Sequence, residues 1–287
     1  MTMQRGDGNF ILCGTRSGPR PKIVLLQDFD NRLCHVDTLN GDPAKSMTYY
    51  LPDLAWIHHA GYSQHVARVS PGIVALLDNA RLSADALVVD VGCGSGLLAA
   101  KLGEAGYRVH GIDASPAMID LARAHAPKAT FEVCALPAGA AALPRAQAIV
   151  STGHVLAYLD TREAIAQALA WLAAALEPGG VLAIDLMTDE YAAARNLDEV
   201  HARIDDDWAI ITRFSRPEAH RYDRAITTFR RDGDRWRRSD ETHRNVTFEA
   251  DDALGILRER GVEARVQASF GSETLPPGLV VLTGTRR

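Results

Sequence analysis

Asp90 stands two residues ahead of a glycine-rich run, in Val88-Val89-Asp90-Val91-Gly92-Cys93-Gly94-Ser95-Gly96-Leu97. Glycines at 92, 94 and 96 let the backbone turn tightly and approach a ligand closely, just where the next helix begins. Asp113 closes the following strand, in His110-Gly111-Ile112-Asp113-Ala114-Ser115-Pro116-Ala117-Met118. A carboxylate at a strand tip beside such a loop can accept both hydroxyls of a ribose. Further along, Ser151-Thr152-Gly153-His154-Val155-Leu156-Ala157-Tyr158 follows another apolar run. The His154 imidazole can be neutral at working pH and take a proton. Tyr158 lies four residues on and would share a helical face with it.

A dinucleotide-binding turn would require a small residue at 97, and Leu97 stands there, with the third glycine one position early. The acid-led spacing D-x-G-x-G-x-G instead resembles motif I of the class I S-adenosylmethionine-dependent methyltransferases. Two further segments are similar to that family in the same order: Ile112-Asp113-Ala114-Ser115-Pro116-Ala117-Met118, and Leu176-Glu177-Pro178-Gly179-Gly180-Val181-Leu182-Ala183-Ile184-Asp185-Leu186. The resemblance extends from about Tyr49 to the C-terminus, including the helical stretch Leu51 to Tyr62.

That resemblance implies a role for each matching residue. The backbone of Gly92, Cys93 and Gly94 would lie against the methionyl part of S-adenosyl-L-methionine, with Asp90 holding the loop and the amino end. Asp113 would take the ribose, Ala114 and Met118 would border the adenine, and Thr152 would sit beside the cofactor. The acid that many relatives carry after the third strand is missing from Phe131-Glu132-Val133-Cys134-Ala135-Leu136, so adenine contacts fall to the backbone of Ala135 and Leu136. His154 and Tyr158 are the candidates for orienting the acceptor or removing its proton. Trp56, His59 and Tyr62 could cap the pocket or belong to an ordinary amphipathic helix. His243 could face the cleft, although a solvated strand face is the simpler expectation.

The N/D-P-P-Y/F signature of nucleic-acid amino-methyltransferases is absent after the fourth strand, which points to the small-molecule branch. Charge agrees: 31 Lys and Arg against 36 Asp and Glu leave a net −5, without the global field of a nucleic-acid binder. Four scattered cysteines without CxxC spacing suit a reducing cytoplasm. No apolar stretch is long enough to span a bilayer, so no membrane partner is expected. HExxH, P-loop and GxSxG patterns are missing, and His58-His59 diverge by about 100° on a helix; no metal is expected.

The elements that must position these residues alternate. Short apolar strands and helices follow one another from Ala86 to Leu186, which is the pattern of an α/β, Rossmann-like, doubly wound, seven-stranded mixed sheet. Before it, helical spacing from Met47 onward is interrupted at Pro71-Gly72, which predicts two helices. After it, residues 187–249 are β-rich, with Asp232-Gly233-Asp234 as a hairpin turn, and are expected as an insertion capping the active site of a methyltransferase domain over 47–287. The arginines at 230, 231, 235, 237 and 238 around that turn are expected to be solvated. Residues 1–46 read as a poorly ordered extension.

The chain is therefore expected to transfer a methyl group to a nitrogen or oxygen of a small molecule. Two other readings remain at this point: a non-catalytic protein that binds the cofactor for regulation, and an NAD-dependent oxidoreductase, disfavoured by Leu97 and the lack of a Tyr-x-x-x-Lys pair.

Overall fold

The structure, a computed structural model, describes residues 3–6, 9–12, 49–136 and 143–287. The expected extension over 1–46 falls outside the described residues except for a hairpin, β1 (Met3–Gly6) paired antiparallel with β2 (Asn9–Leu12).

Seven strands form the central sheet: β3 (Leu87–Val91), β4 (Arg108–Asp113), β5 (Thr130–Val133), β6 (Ala146–Ser151), β7 (Leu176–Met187), β12 (Val262–Gln267) and β13 (Leu279–Arg286). Their order is β12-β13-β7-β6-β3-β4-β5, all running in one direction except β13, which is antiparallel to both its neighbours, β7 and β12. The chain winds outward from β3 through β4 to β5, then returns to place β6 on β3's other side. Such a reversal opens a crevice at the carboxyl ends of the two central strands. Side chains alternate across the sheet as a period of two requires. Val89, Val91, Ile149 and Ile184 meet the helices α4 (Arg162–Ala175) and α6 (Ala250–Glu259) on one face. Val88, Ala148, Val150 and Ala183 meet α1 (Pro52–Asn79) and α2 (Leu97–Glu104) on the other. The last main-sheet helix, α3 (Pro116–His125), starts where Ser115 Oγ accepts from the amide of Met118 at 3.2 Å, with Pro116 at its first position.

The break predicted at Pro71-Gly72 does not occur: α1 is one helix of 28 residues with Pro71 inside it. A proline there costs about 3 kcal/mol. Val69, Ile73 and Leu77, all at 0% exposure, each contribute about 1.5–3 kcal/mol by burial, so packing outweighs the lost hydrogen bond. Gly72 is required for a different reason than a turn. A Cβ there would lie 2.6 Å from the backbone of Phe270 and Gly271.

Beyond β7 and the short α5 (Asp189–Ala193), a second, antiparallel sheet runs β11-β10-β9-β8, from β8 (Val200–Ile204), β9 (Trp208–Ser215), β10 (Arg221–Asp232) and β11 (Arg235–Val246). The turn expected at Asp232-Gly233-Asp234 joins β10 to β11, whereas β8, Val-His-Ala-Arg-Ile, carries little apolar signal. This sheet packs on the first half of α1, where Leu54 and Ile57 meet Trp208, Ile210 and Ile226. No helix among the described residues is long and apolar enough to cross a membrane.

Candidate active site

A cavity of about 840 Å³ lies at the crevice, floored by the loops after β3, β4 and β6 and walled by α1 and β10. The glycine loop adopts left-handed angles at Gly92, Gly94 and Gly96 (φ +67°, +51° and +77°). At Gly92 a side chain would collide with Val155, whereas at Gly94 a Cβ would meet nothing within 4 Å, so the loop leaves an open cradle there. The amides of Gly92 and Cys93 both donate to the carbonyl of Ile112, at 2.8 and 3.0 Å.

The two acids divide the work differently from expectation. Asp113, not Asp90, holds the loop: its Oδ2 accepts from the Gly94 amide at 3.0 Å and its Oδ1 from the Ser115 amide at 2.8 Å. Asp90 is sealed at 1% exposure, and its Oδ2 has no partner. Burial, reinforced by the charge of Asp113, pushes the Asp90 carboxyl up to about 7. The reason is positional. Asp90 lies within β3, one residue short of the strand end, while Asp113 terminates β4 directly beside the loop.

The tip of β6 is held by a residue that sequence reasoning missed. Asp185, buried in β7, accepts from the amides of Gly153 (2.7 Å) and His154 (2.8 Å). Those bonds fix His154 at φ +53°, a strained angle for a side-chain-bearing residue. Desolvation lifts the Asp185 carboxyl to about 6 although its hydrogen bonds pull the other way. An acid inside the apolar run Leu182-Ala183-Ile184-Asp185-Leu186 was the available signal.

His154 lines the cavity, and its ring nitrogens have no hydrogen-bond partner among the described residues. Burial, the positive field of Arg224 and nearby histidines hold its pKa well below the usual value, so the ring is neutral. It stacks on Tyr158 with 10° between planes, although the segment carrying Tyr158 is a single 3₁₀ turn (Val155–Tyr158) rather than an α-helix. The Tyr158 hydroxyl is a hub, bonded to Tyr50 Oη (2.9 Å), to His243 Nδ1 (3.2 Å) and to Nη2 of Arg224. His243 Nε2 in turn meets Glu241 Oε2 at 3.0 Å. With Nε2–H donating to Glu241, Nδ1 is left to accept from Tyr158.

His243 thus corrects the solvated-strand expectation: it is 0% exposed and sits behind Tyr158, not on the cavity wall. Of the three residues considered as a cap, only Tyr62 lines the cavity. His59 reaches Ser95 Oγ in the glycine loop (2.9 Å), and Trp56 lies beneath the Arg230 guanidinium at 4.1 Å. The face of α1 turned to the cavity carries His58, Tyr62 and His65, spaced i, i+4, i+7, and that spacing was legible. His65 Nε2 meets Thr152 Oγ1 at 2.9 Å. The arginines of the hairpin are not all solvated either: Arg237 and Arg230 both bind the Asp53 carboxylate. Cys93, Ala114, Met118, Ala135, Leu136 and Thr152 all border the cavity beside the glycine loop.

Residues 88–180 match a family model described as a methyltransferase domain. The chain carries a methyltransferase domain. It begins at β3 and ends inside β7, so it contains the glycine loop, Asp113 and the His154 turn. The trans-aconitate 2-methyltransferase of Paracidovorax citrulli is 37% identical over 133 residues, which are 45% of this chain and 49% of that protein. The matched stretch therefore spans about half the length of that relative. Two solved structures share the fold around the methyltransferase domain at low identity. An S-adenosylmethionine-dependent methyltransferase from Clostridium acetobutylicum has a TM-score of 0.69 at 16% identity, covering 81% of this chain and 97% of its own. A sugar N-methyltransferase from Streptoalloteichus also scores 0.69, at 18% identity, covering 87% and 99%.

Proposed function

We propose that the protein transfers a methyl group from S-adenosylmethionine to a nitrogen or oxygen of a small molecule. The observation that carries this reading is that the glycine loop and the His154 turn open onto one cavity. The residues fit the cofactor: an open cradle at Gly94, a ribose acceptor at Asp113, and an orphaned, buried oxygen on Asp90 that the amino end of the methionyl part would partner. Bound there, the cofactor supplies an electrophilic methyl on a sulfonium, whose electron pair returns to sulfur as S-adenosylhomocysteine leaves.

The protein's own part is positioning and proton removal. Ala114, Met118, Ala135 and Leu136 would border the adenine, and Thr152 the reacting end. The neutral His154 ring would orient the acceptor and take the proton from its O–H or N–H as the new bond to carbon forms. Tyr158, held by three partners, would keep that ring in place by stacking. The cavity lies toward the upper end of the ~300–1,000 Å³ range of small-molecule sites and runs from the glycine loop to β10, which favours an enzyme with room for an acceptor over a cofactor-only binding protein. The relatives' names, one for trans-aconitate and one for a sugar, support a small acceptor.

Calorimetric titration with S-adenosylhomocysteine and, separately, NADH tests the reading. Micromolar binding of the first alone is expected; binding of NADH alone, or of neither, overturns it. In the same assay His154→Ala should keep its S-adenosylhomocysteine affinity while turnover falls by about 10²–10⁴-fold. Equal loss of both would move His154 to cofactor binding.

A further inference from the structure

β10 carries four arginines, and three of them meet carboxylates: Arg221 meets Asp223 (3.1 Å), Arg230 meets Asp53 (3.3 Å) and Arg231 meets Asp207 (3.2 Å). Arg224 is the exception. It lines the cavity, and the groups acting most strongly on it are the phenols of Tyr158, Tyr50, Tyr191 and Tyr222, with no carboxylate among them. Its Nη2 donates to the Tyr158 hydroxyl, its Nε is buried without a partner, and its Nη1 has no partner among the described residues. The guanidinium stays charged at any accessible pH, so a half-buried cation in the wall of the acceptor site has no counter-ion among the described residues.

Arg68 on α1 also borders the cavity but is exposed; the other basic groups of that wall carry no charge. His58, whose ring is pushed down to about 4, and His65 and His154, also lowered, are neutral there. Of the carboxylates that border the cavity, Asp113 binds the glycine loop, Glu273 binds the amides of Phe270 and Gly271, Asp160 is exposed, and Asp90 is buried in β3 with its carboxyl pushed up to about 7.

We propose that Arg224 is the anchor for a carboxylate on the methyl acceptor, so that the substrates are small carboxylic acids. This rests on the methyltransferase reading above and narrows it. One free guanidinium matches one carboxylate, and planar N–H donors suit that group's two oxygens. A nucleoside diphosphate would bring at least two negative charges to a site where, among the described residues, one cation is half-buried and without a carboxylate and the other, Arg68, is exposed. The carboxylate completes a set that the protein leaves open: Arg224 donates to it, Tyr158 braces the guanidinium, and the neutral His154 faces the remainder of the acceptor.

The test is calorimetric titration of the full chain, saturated with S-adenosylhomocysteine, with benzoate and butyrate and with their neutral amides. At least one acid should bind while its amide does not. Arg224→Met should weaken the acid by about 10–100-fold with S-adenosylhomocysteine affinity unchanged, and Arg224→Lys should lose less, since it keeps the charge without the planar donors. Retained cofactor affinity is the check that each variant is folded. The inference is overturned if neither acid binds, if the amides bind as well as the acids, or if Arg224→Met binds acid like the native protein. Failure of S-adenosylhomocysteine to bind the native chain at all is a different result: it overturns the methyltransferase reading, and this inference with it.

Discussion

Asp90 holds a proton where an exposed aspartate would not. Its carboxyl is pushed up to about 7 in the folded protein, against about 3.9 in an unfolded chain. Between those values the native state binds a proton that the unfolded state has released. Stability therefore falls as pH rises from about 4 to about 7 and is level above that. Asp185, lifted to about 6 by burial, acts in the same direction. Asp90→Asn removes the larger contribution. Without cofactor, the variant should melt with the native protein near pH 4 and at least about 2–4 °C above it at pH 8. A difference in melting temperature that does not change with pH would mean that Asp90 is ionised throughout.

Helices and strands bring distant residues to these positions, and their tolerance is set by close backbone contacts. Gly72 on α1 faces the backbone of Phe270 and Gly271 at a distance no Cβ can occupy. Gly72→Ala should cost about 1–3 kcal/mol, read as a lower urea midpoint with an unchanged slope. An unaltered midpoint would show that the 270–271 loop can move away.

What could be read from sequence divides along the same line. The βα alternation and the glycine loop are local signals: the spacing of Asp90, Gly92, Gly94 and Gly96 and the strand-end position of Asp113 lie within one βαβ stretch. Arg224, His243 and Tyr50 reach Tyr158 from 66, 85 and 108 residues away, so no local pattern could announce them. His243 misled for the same reason. Its neighbours Thr242 and Arg244 look like a solvated strand, and only the stacking of the second sheet over Tyr158 turns that position inward. Pro71 misled because propensity speaks of an isolated helix, while three apolar side chains packed on the main sheet decide the matter here.

At the scale of the whole molecule, α1 is the element that joins the two sheets. Asp53 near its start is clasped by Arg237 (Nε to Oδ2, 2.6 Å) and Arg230, both from the second sheet. Its second half packs on the first sheet through Val69, Ile73 and Leu77. Asp53→Ala should loosen the second sheet selectively: amide exchange should accelerate in β10 and β11 and stay unchanged in β3 and β4. Equal acceleration in both sheets would mean that they open as a single unit.

Between those two ends the same helix touches the glycine loop through His59 and Ser95, and the β6 tip through His65 and Thr152. One rod is thus in contact with the cofactor cradle, with the turn that presents His154, and with the sheet that presents Arg224. If filling the cradle shifts that rod, the shift is felt at the anchor, and the coupling has no direction. Whatever factor the methyl donor contributes to holding the acceptor, the acceptor returns in full to holding the donor.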